Sequence, residues 1–414
     1  MNVRYATLLA FVGAAMTFPA ASLGRVKLAA LPQRERVEIQ LDNGLYTLVE
    51  EERIVPLLKS TEKAGNNFID FSWSNTQIDK DSIQFRPLAV REGDKFRPIK
   101  KDKDQEEVTV INVAYPPNEN ALTWEVFAKD ACAVKVRVSY LISNLTRTFE
   151  YRAVADKEET KLTLKNYIQL RNYSGEEYGA AGVWAGFGPH FLKPVGQQED
   201  IKLLMETFKD VPIQKTFTFD WYANGPLNSD KPLASKVLMH YKLTNDEKHA
   251  MGKFPLQGGK ARIFIQDGRG GEAFLGEDWA ALTPLDGDMK LYLGEARDVV
   301  CTRTIQDNKR HPIRGNLFSQ EIWIKYEIEN FKDKPVKLDI VEQVNGVARQ
   351  YGADPHGDAE WETGPATSEG VDFNYEKGGA TPTLRVELPA RPKDKEEKVK
   401  KQSFVFHFTI KNLW

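Results

Sequence analysis

The chain has 414 residues, 41% hydrophobic and 28% charged, and its 57 basic and 59 acidic side chains leave a net charge of −2. That length supports two or three domains with real cores. The charge balance excludes a global field that would gather nucleic acid or anionic lipid. Two cysteines, Cys132 and Cys301, are too few for the usual Cys-rich zinc sites.

Residues 1–22 differ from the rest. Arg4 is the only charge, Tyr5 to Phe18 is apolar or small, and Ala20-Ala21-Ser22 offers small residues for cleavage. This is signal-peptide composition, with an apolar stretch short for a membrane span. It predicts export, cleavage near Ser22 and a periplasmic or extracellular mature protein. No cysteine stands at the cleavage site to take a lipid, and no later segment reaches the ~20 apolar residues of a spanning helix.

Strand grammar follows. Val37, Ile39 and Leu41 alternate with polar residues, Asn43-Gly44 makes a tight turn, and Leu45 to Val49 returns. Phe68, Phe71 and Trp73 mark a third segment, and Ile83 and Phe85 a fourth. Residues 98–107 read as a mixed-charge loop. Val134, Val136, Val138 and Tyr140 alternate with Lys135, Arg137 and Ser139, as in a strand with one wet face. Phe149 to Val154 and Leu162 to Leu170 continue the series. In 196–210, Ile201, Leu204, Met205 and Phe208 fall at helical spacing, which predicts a helix over 197–209.

The stretch 211–235, rich in Asn, Gly and Pro towards its end, is the expected domain boundary. Beyond it Val237, Met239, Tyr241 and Leu243 share a face. Ala261 to Gln266 runs through Asp267-Gly268-Arg269-Gly270-Gly271 into a returning strand. Ile322, Ile324, Tyr326 and Ile328 share a face, Asp333-Lys334-Pro335 turns the chain, and Val336, Leu338 and Ile340 follow. Residues 391–402 form a charged loop. Phe404, Phe406, Phe408, Ile410 and the terminal Trp414 are expected on one face of a last strand. The expectation is an all-β protein of two β-sandwich domains, 23–210 and 236–414, with one notable helix.

Candidate chemistry is sparse. Gly268 to Gly271 lacks the Lys-Ser/Thr ending and following helix of a phosphate loop, and reads as a hairpin turn. No HxH or HExxH pair occurs among His190, His240, His249, His311, His356 and His407. Asp354, His356, Asp358, Glu360 and Glu362 could converge on a cation but do not follow the EF-hand order of ligands. No GxSxG elbow appears. Trp124, Trp184 and Trp323 read as core; Trp73, Trp221, Trp279 and Trp361 sit near turns and are the candidates for an aromatic ligand platform. Cys132 and Cys301, in or beside apolar strands, read as separate buried thiols. No catalytic, cofactor-binding or metal-ligating residue is nominated, and no cofactor is expected.

Several segments together resemble a bacterial envelope family. ALTWEVFA, VKVRVSYLIS and KNYIQLRNYSGEEYGAAGVW (within 121–184), PLQGGKARIFIQDGRGGEAFLGEDW (255–279), LYLGEARDVV (291–300) and EIWIKYEIENFKDKPVKLDIVE (321–342) are similar to conserved blocks of the domain-of-unknown-function family 4139, related to the mucoidy-inhibitor proteins. VEIQLDNGLYTLVEEERIVPL and IDKDSIQFRPL resemble its N-terminal strands. The resemblance implies an exported, β-rich protein and supplies no catalytic residue. Ala281-Leu282-Thr283-Pro284 departs from it, since relatives commonly carry a histidine before Thr-Pro. The combined expectation is a non-catalytic envelope protein whose partner is another envelope protein or a cell-surface polymer, not nucleic acid, with no transmembrane span after signal cleavage. The rivals are a secreted hydrolase or carbohydrate-active protein, which a pocket with two carboxylates and an aromatic wall would favour, and an outer-membrane β-barrel, which the C-terminal aromatic strand suggests but the uneven strand lengths oppose.

Overall fold

The computed structural model describes residues 25–27, 33–41, 45–62, 65–73, 75–102, 105–220, 233–352, 359–369, 373–374, 379, 381–393 and 398–414. The expected signal segment and the Asn43-Gly44 turn lie outside them. The protein is all-β, with a single α-helix, Val344–Gln350, among the described residues. Among the described residues no helix is long and apolar enough to cross a membrane.

The chain divides into two compact units that interleave in sequence: residues 1–147 with 169–202, and residues 148–168 with 203–414. This differs from a boundary at 211–235. The physical reason lies in pairing: the strand Leu145–Ala155 aligns in parallel with Gly259–Gln266, so residues from 148 onward belong with sequence far downstream.

In the first unit, β1 (Arg25–Lys27), β4 (Asn67–Ser72), β9 (Val108–Ala114) and β10 (Ala121–Ala128) form a sheet in the order β1-β4-β10-β9. A second, seven-stranded sheet contains β2 (Arg34–Gln40), β3 (Thr47–Leu57), β5 (Gln84–Glu92), β6 (Lys95–Pro98), β11 (Cys132–Ile142), β14 (Ala180–Trp184) and β15 (Phe191–Pro194). Its order is β15-β14-β2-β3-β11-β5-β6. Alternation decides which faces meet. Val134, Val136, Val138 and Tyr140 of β11 are buried with Val37 and Ile39 of β2. Trp124 of β10 joins the two sheets, its ring 4.8 Å from Phe85 and 5.9 Å from Phe71. The charged loop expected at 98–107 contains a two-stranded pairing of β7 (Lys101–Asp102) with β8 (Gln105–Glu106).

In the second unit, β17 (Gln214–Asp220), β19 (Val237–Thr244), β22 (Asp288–Glu295), β25 (Val336–Val341), β27 (Phe373–Asn374) and β28 (Thr383–Leu388) make a six-stranded sheet. Another joins β18 (Leu233–Ser235), β23 (Val299–Arg314), β24 (Leu317–Asn330), β26 (Trp361–Thr363) and β29 (Gln402–Leu413). The turn at 333–335 carries the chain from one to the other. Their inner residues share one core, including Phe219, Ile322, Tyr326, Leu338, Phe406 and Phe408. A third sheet orders β16 (Glu199–Pro212), β13 (Lys161–Asn172), β12 (Leu145–Ala155), β20 (Gly259–Gln266) and β21 (Glu272–Ala280), the division between units falling inside β12, β13 and β16. All these sheets are open, with a strand at each end.

Two sequence expectations are corrected. The predicted helix at 197–209 is the strand β16. Leu203 and Met205 alternate inward while Leu204 points to solvent; the inward positions then skip to Phe208 and Val211, with Asp210 at φ 54°. Steps of three between buried residues in an irregular strand imitate helical spacing. The terminal Trp414 does not share the inner face of β29: it is 76% exposed, and Leu413 is buried instead. Asn412 adopts φ 54° and shifts the alternation by one residue.

Candidate functional site

A cavity of about 290 Å³ lies on the polar face of the seven-stranded sheet, floored by β2, β3 and β11 and bounded by Trp184 and His190. Strand register builds it in two adjacent rows. In one, Gly182 of β14 stands beside Glu38 of β2, which stands beside Glu50 of β3. In the next, Arg36, Glu52, Arg137 and Arg86 run across β2, β3, β11 and β5. Trp184 pairs with Gln40 at the end of β14.

Two carboxylates directly opposite each other on antiparallel strands repel, and such pairs are destabilising. Neighbouring cations offset this. Glu38 accepts from Arg36 at 2.8 Å and pairs with His190 Nε2 at 2.7 Å. Glu50 accepts from Arg86 at 2.9 Å, and Glu52 from Arg137 at 2.7 Å. Burial pushes the Glu38 carboxyl up, but the His190 and Arg36 hydrogen bonds outweigh it and hold Glu38 below the usual carboxylate range. The hydrogen bond to Glu52 heads the causes that raise Arg137. The absence of a side chain at position 182 makes room: a Cβ there would lie 2.3 Å from Glu38 Oε2 and 2.6 Å from His190 Cε1. The result is a recess of fixed donors and acceptors beside an indole, suited to a ligand with several hydroxyl groups and an apolar ring face.

Other polar clusters are structural in character. A second cavity, about 530 Å³, opens on Arg34, Arg53, Glu176 and Tyr178. Beneath it the buried Glu51 accepts from Arg53 at 2.7 Å and from the Tyr140 hydroxyl at 2.6 Å. In the second unit Arg303, Glu342 and Tyr326 repeat this combination in the core. His407 of β29 lies flat on Trp323 of β24. Its Nδ1 accepts from the Ala366 backbone N–H at 3.0 Å, so Nε2 carries the proton shared with Glu321 at 2.8 Å; the other Glu321 oxygen meets His311.

The residues singled out in the sequence are scattered. Asp354, His356 and Asp358 lie outside the described residues; Glu362 pairs with Lys411 at 2.5 Å, and no metal-holding group of His, Cys, Asp or Glu occurs among the described residues. The Gly268–Gly271 segment is a hairpin turn, and two of its amides are already taken: Asp267 Oδ1 accepts from Arg269 N at 2.7 Å and Gly271 N at 2.9 Å. Those backbone bonds lower the Asp267 pKa. His240 is half-buried against Tyr292, and His249 pairs with Asp246. Neither Cys132 nor Cys301 forms a disulfide; Cys301 is buried and Cys132 half-buried.

The tryptophans correct the reading most. Trp124 is core, but Trp184, placed in the core from its apolar context, is only half-buried and borders the cavity. Trp73 is buried, Trp361 is half-buried with Nε1 donating to Gly379 O, Trp221 lies outside the described residues, and Trp279 is 65% exposed. Sequence reasoning missed Glu38, Glu50, His190 and Gly182 as neighbours, because the parallel pairing of β14 with β2 that unites them leaves no periodic signal. No protein-family model matches this chain, and no curated protein matches it.

Proposed function

We propose that the protein is an exported, non-catalytic component of a bacterial envelope that binds a neutral cell-surface polysaccharide in the Trp184 cavity, its β-sandwich units serving as rigid support. The observation that carries this reading is the in-register opposition of Glu38 and Glu50 beside that indole. A sheet optimised for stability alone would not set two carboxylates against each other there. Paired carboxylates and guanidiniums accept from and donate to vicinal hydroxyls, and the indole offers a face to a sugar ring. The charges of the recess largely cancel within it, which favours a neutral ligand over an acidic one.

The same cavity meets the requirement set for a hydrolase, two carboxylates and an aromatic wall. Glycoside hydrolysis, however, needs one carboxyl raised to hold a proton. Glu38 is shifted the other way by His190 and Arg36, and Glu50 is tied to the Arg86 guanidinium, an arrangement of two ion-paired carboxylates that favours binding without cleavage. Export rests on the composition of residues 1–22, and the resemblance of the hairpin segments to the domain-of-unknown-function family 4139 belongs to the same proposal.

Affinity electrophoresis through gels containing dextran, laminarin or polygalacturonate tests the binding. The parent protein should be retarded by a neutral polysaccharide, Trp184→Ala should not, and no reducing ends should appear in solution. Retardation unchanged by Trp184→Ala, or by none of the three polymers, would overturn it. N-terminal sequencing of the mature protein tests export; an intact Met1 on cytosolic material would refute that part.

A further inference from the structure

Edge strands invite pairing with other chains, and proteins usually block them with charges. Here β6 carries Lys95 and Arg97, β15 carries Lys193, and β16, β21 and β22 each carry several charges. Among the described residues, the one edge strand longer than three residues without any charge is β9. The uncharged stretch runs from Val108 to Asn118. Its inner edge pairs with β10. Its outer half is open to solvent on both faces, with Ile111 52%, Val113 39% and Tyr115 48% exposed.

We propose that β9 is the dimerisation edge of this protein, pairing antiparallel with β9 of a second copy about a twofold axis near Val113. A twofold contact sets each residue against its own counterpart or against its mirror position. A charge on the axis would meet its own copy, so a self-pairing edge must be neutral at its centre. This one is, whereas a partner recognised by opposite charge would find nothing to read. Centred on Val113, the pairing sets Ile111 against Tyr115 of the other copy and encloses an apolar row now exposed to water. The pairing also joins two four-stranded sheets into one continuous sheet. A β-bulge where β9 passes Glu125 and Val126 of β10 leaves Asn112 to Ala114 as the regular segment for the new ladder. The contact is small by the standard of obligate interfaces, so association should be reversible and concentration-dependent.

Sedimentation equilibrium over a concentration series is the test, on the full mature chain and on Val113→Lys. The parent should dimerise, and Val113→Lys, which places two ammonium groups at the axis, should be monomeric with an unchanged far-ultraviolet spectrum. As a second arm, Val113→Cys should form a covalent dimer under mild oxidation while the parent, with its two native thiols, does not. A parent that stays monomeric at every concentration would overturn the proposal and leave the edge to another protein's strand. Dimers that persist in Val113→Lys, or Val113→Cys that does not cross-link in a dimeric background, would overturn it equally.

Discussion

Arg303 and Glu342 are sealed together in the core of the second unit, with Nε 3.0 Å from Oε2 and both side chains almost wholly removed from solvent. The Tyr326 hydroxyl donates to the same carboxylate, and burial raises the Tyr326 pKa well above its ordinary value. Breaking such a pair from one side strands a buried charge, at a cost of about 3–5 kcal/mol. Glu342→Ala should therefore lower the unfolding free energy obtained from urea titration by that amount. The double variant Arg303→Met with Glu342→Leu should recover most of the loss. A single variant within about 1 kcal/mol of the parent would show that the pair is relaxed in solution.

His407 and Trp323 stack with ring centroids 4.3 Å apart and planes 8° from parallel. The ring also terminates the segment 364–368, through the Ala366 N–H that it accepts. His407→Phe keeps an aromatic ring against the indole but removes the acceptor and the Glu321 partner. The expected loss is about 0.5–1.5 kcal/mol, the net worth of a partly buried hydrogen bond. Hydrogen exchange at Ala366 should accelerate selectively. An unchanged exchange rate would mean that the amide finds its partner elsewhere.

Gly182→Ala separates binding from stability. The added methyl collides with the ends of the Glu38 and His190 side chains rather than with backbone. Those ends can swing aside, so the thermal midpoint should move little while the cavity loses its arrangement. Polysaccharide retention should weaken by about tenfold or more, equivalent to about 1.4 kcal/mol. Retention at the parental level would show that the Glu38–His190 contact plays no part in the site.

Acid should destabilise the fold in a defined window. Glu107 is held low chiefly by its Arg97 hydrogen bond. Burial pushes Glu159 up, but hydrogen bonds from Lys215 and Tyr241 prevail and lower it. Glu38 behaves likewise. A carboxyl whose pKa is depressed by folding binds fewer protons in the native state than in the unfolded one. Its stabilisation is thus fully present above the ordinary value of 4.5 and is lost as pH falls through the lowered native values. Urea midpoints measured from pH 7 to pH 3 should decline most steeply below about 4.5. Glu159→Gln should flatten part of that decline. A parent whose midpoint is level through this range would contradict the assignment.

Alternation made much of the architecture legible. Val134 to Val138 and Ile322 to Ile328 bury every second residue, as a period of two requires. Phase shifts were not legible. At Asp210 and Asn412 a left-handed backbone residue moves the buried set by one position, and neither Asp nor Asn announces this as glycine would. The cavity was hidden for a different reason. Glu38 and Glu50 face each other because of the register of one hairpin, and a slip of one residue would send both to the opposite sides of their strands. Gly182 and Trp184 reach them only through a parallel pairing with β2, and nothing local in either segment encodes that contact.

The parallel alignment of β12 with β20 governs the order in which the second unit can be made. Phe149 to Ala155 must find Gly259 to Ile265, and Phe217 to Asp220 must find Leu338 to Val341. On a ribosome the earlier partner of each pair waits with that edge bare while the intervening chain is synthesised, which for the first pair includes residues 169–202 of the other unit. Such distant closures make folding slow and leave strand edges bare in the interim. The nascent protein therefore has reason to stay unfolded until late in its synthesis, a state that a translocating chain also requires.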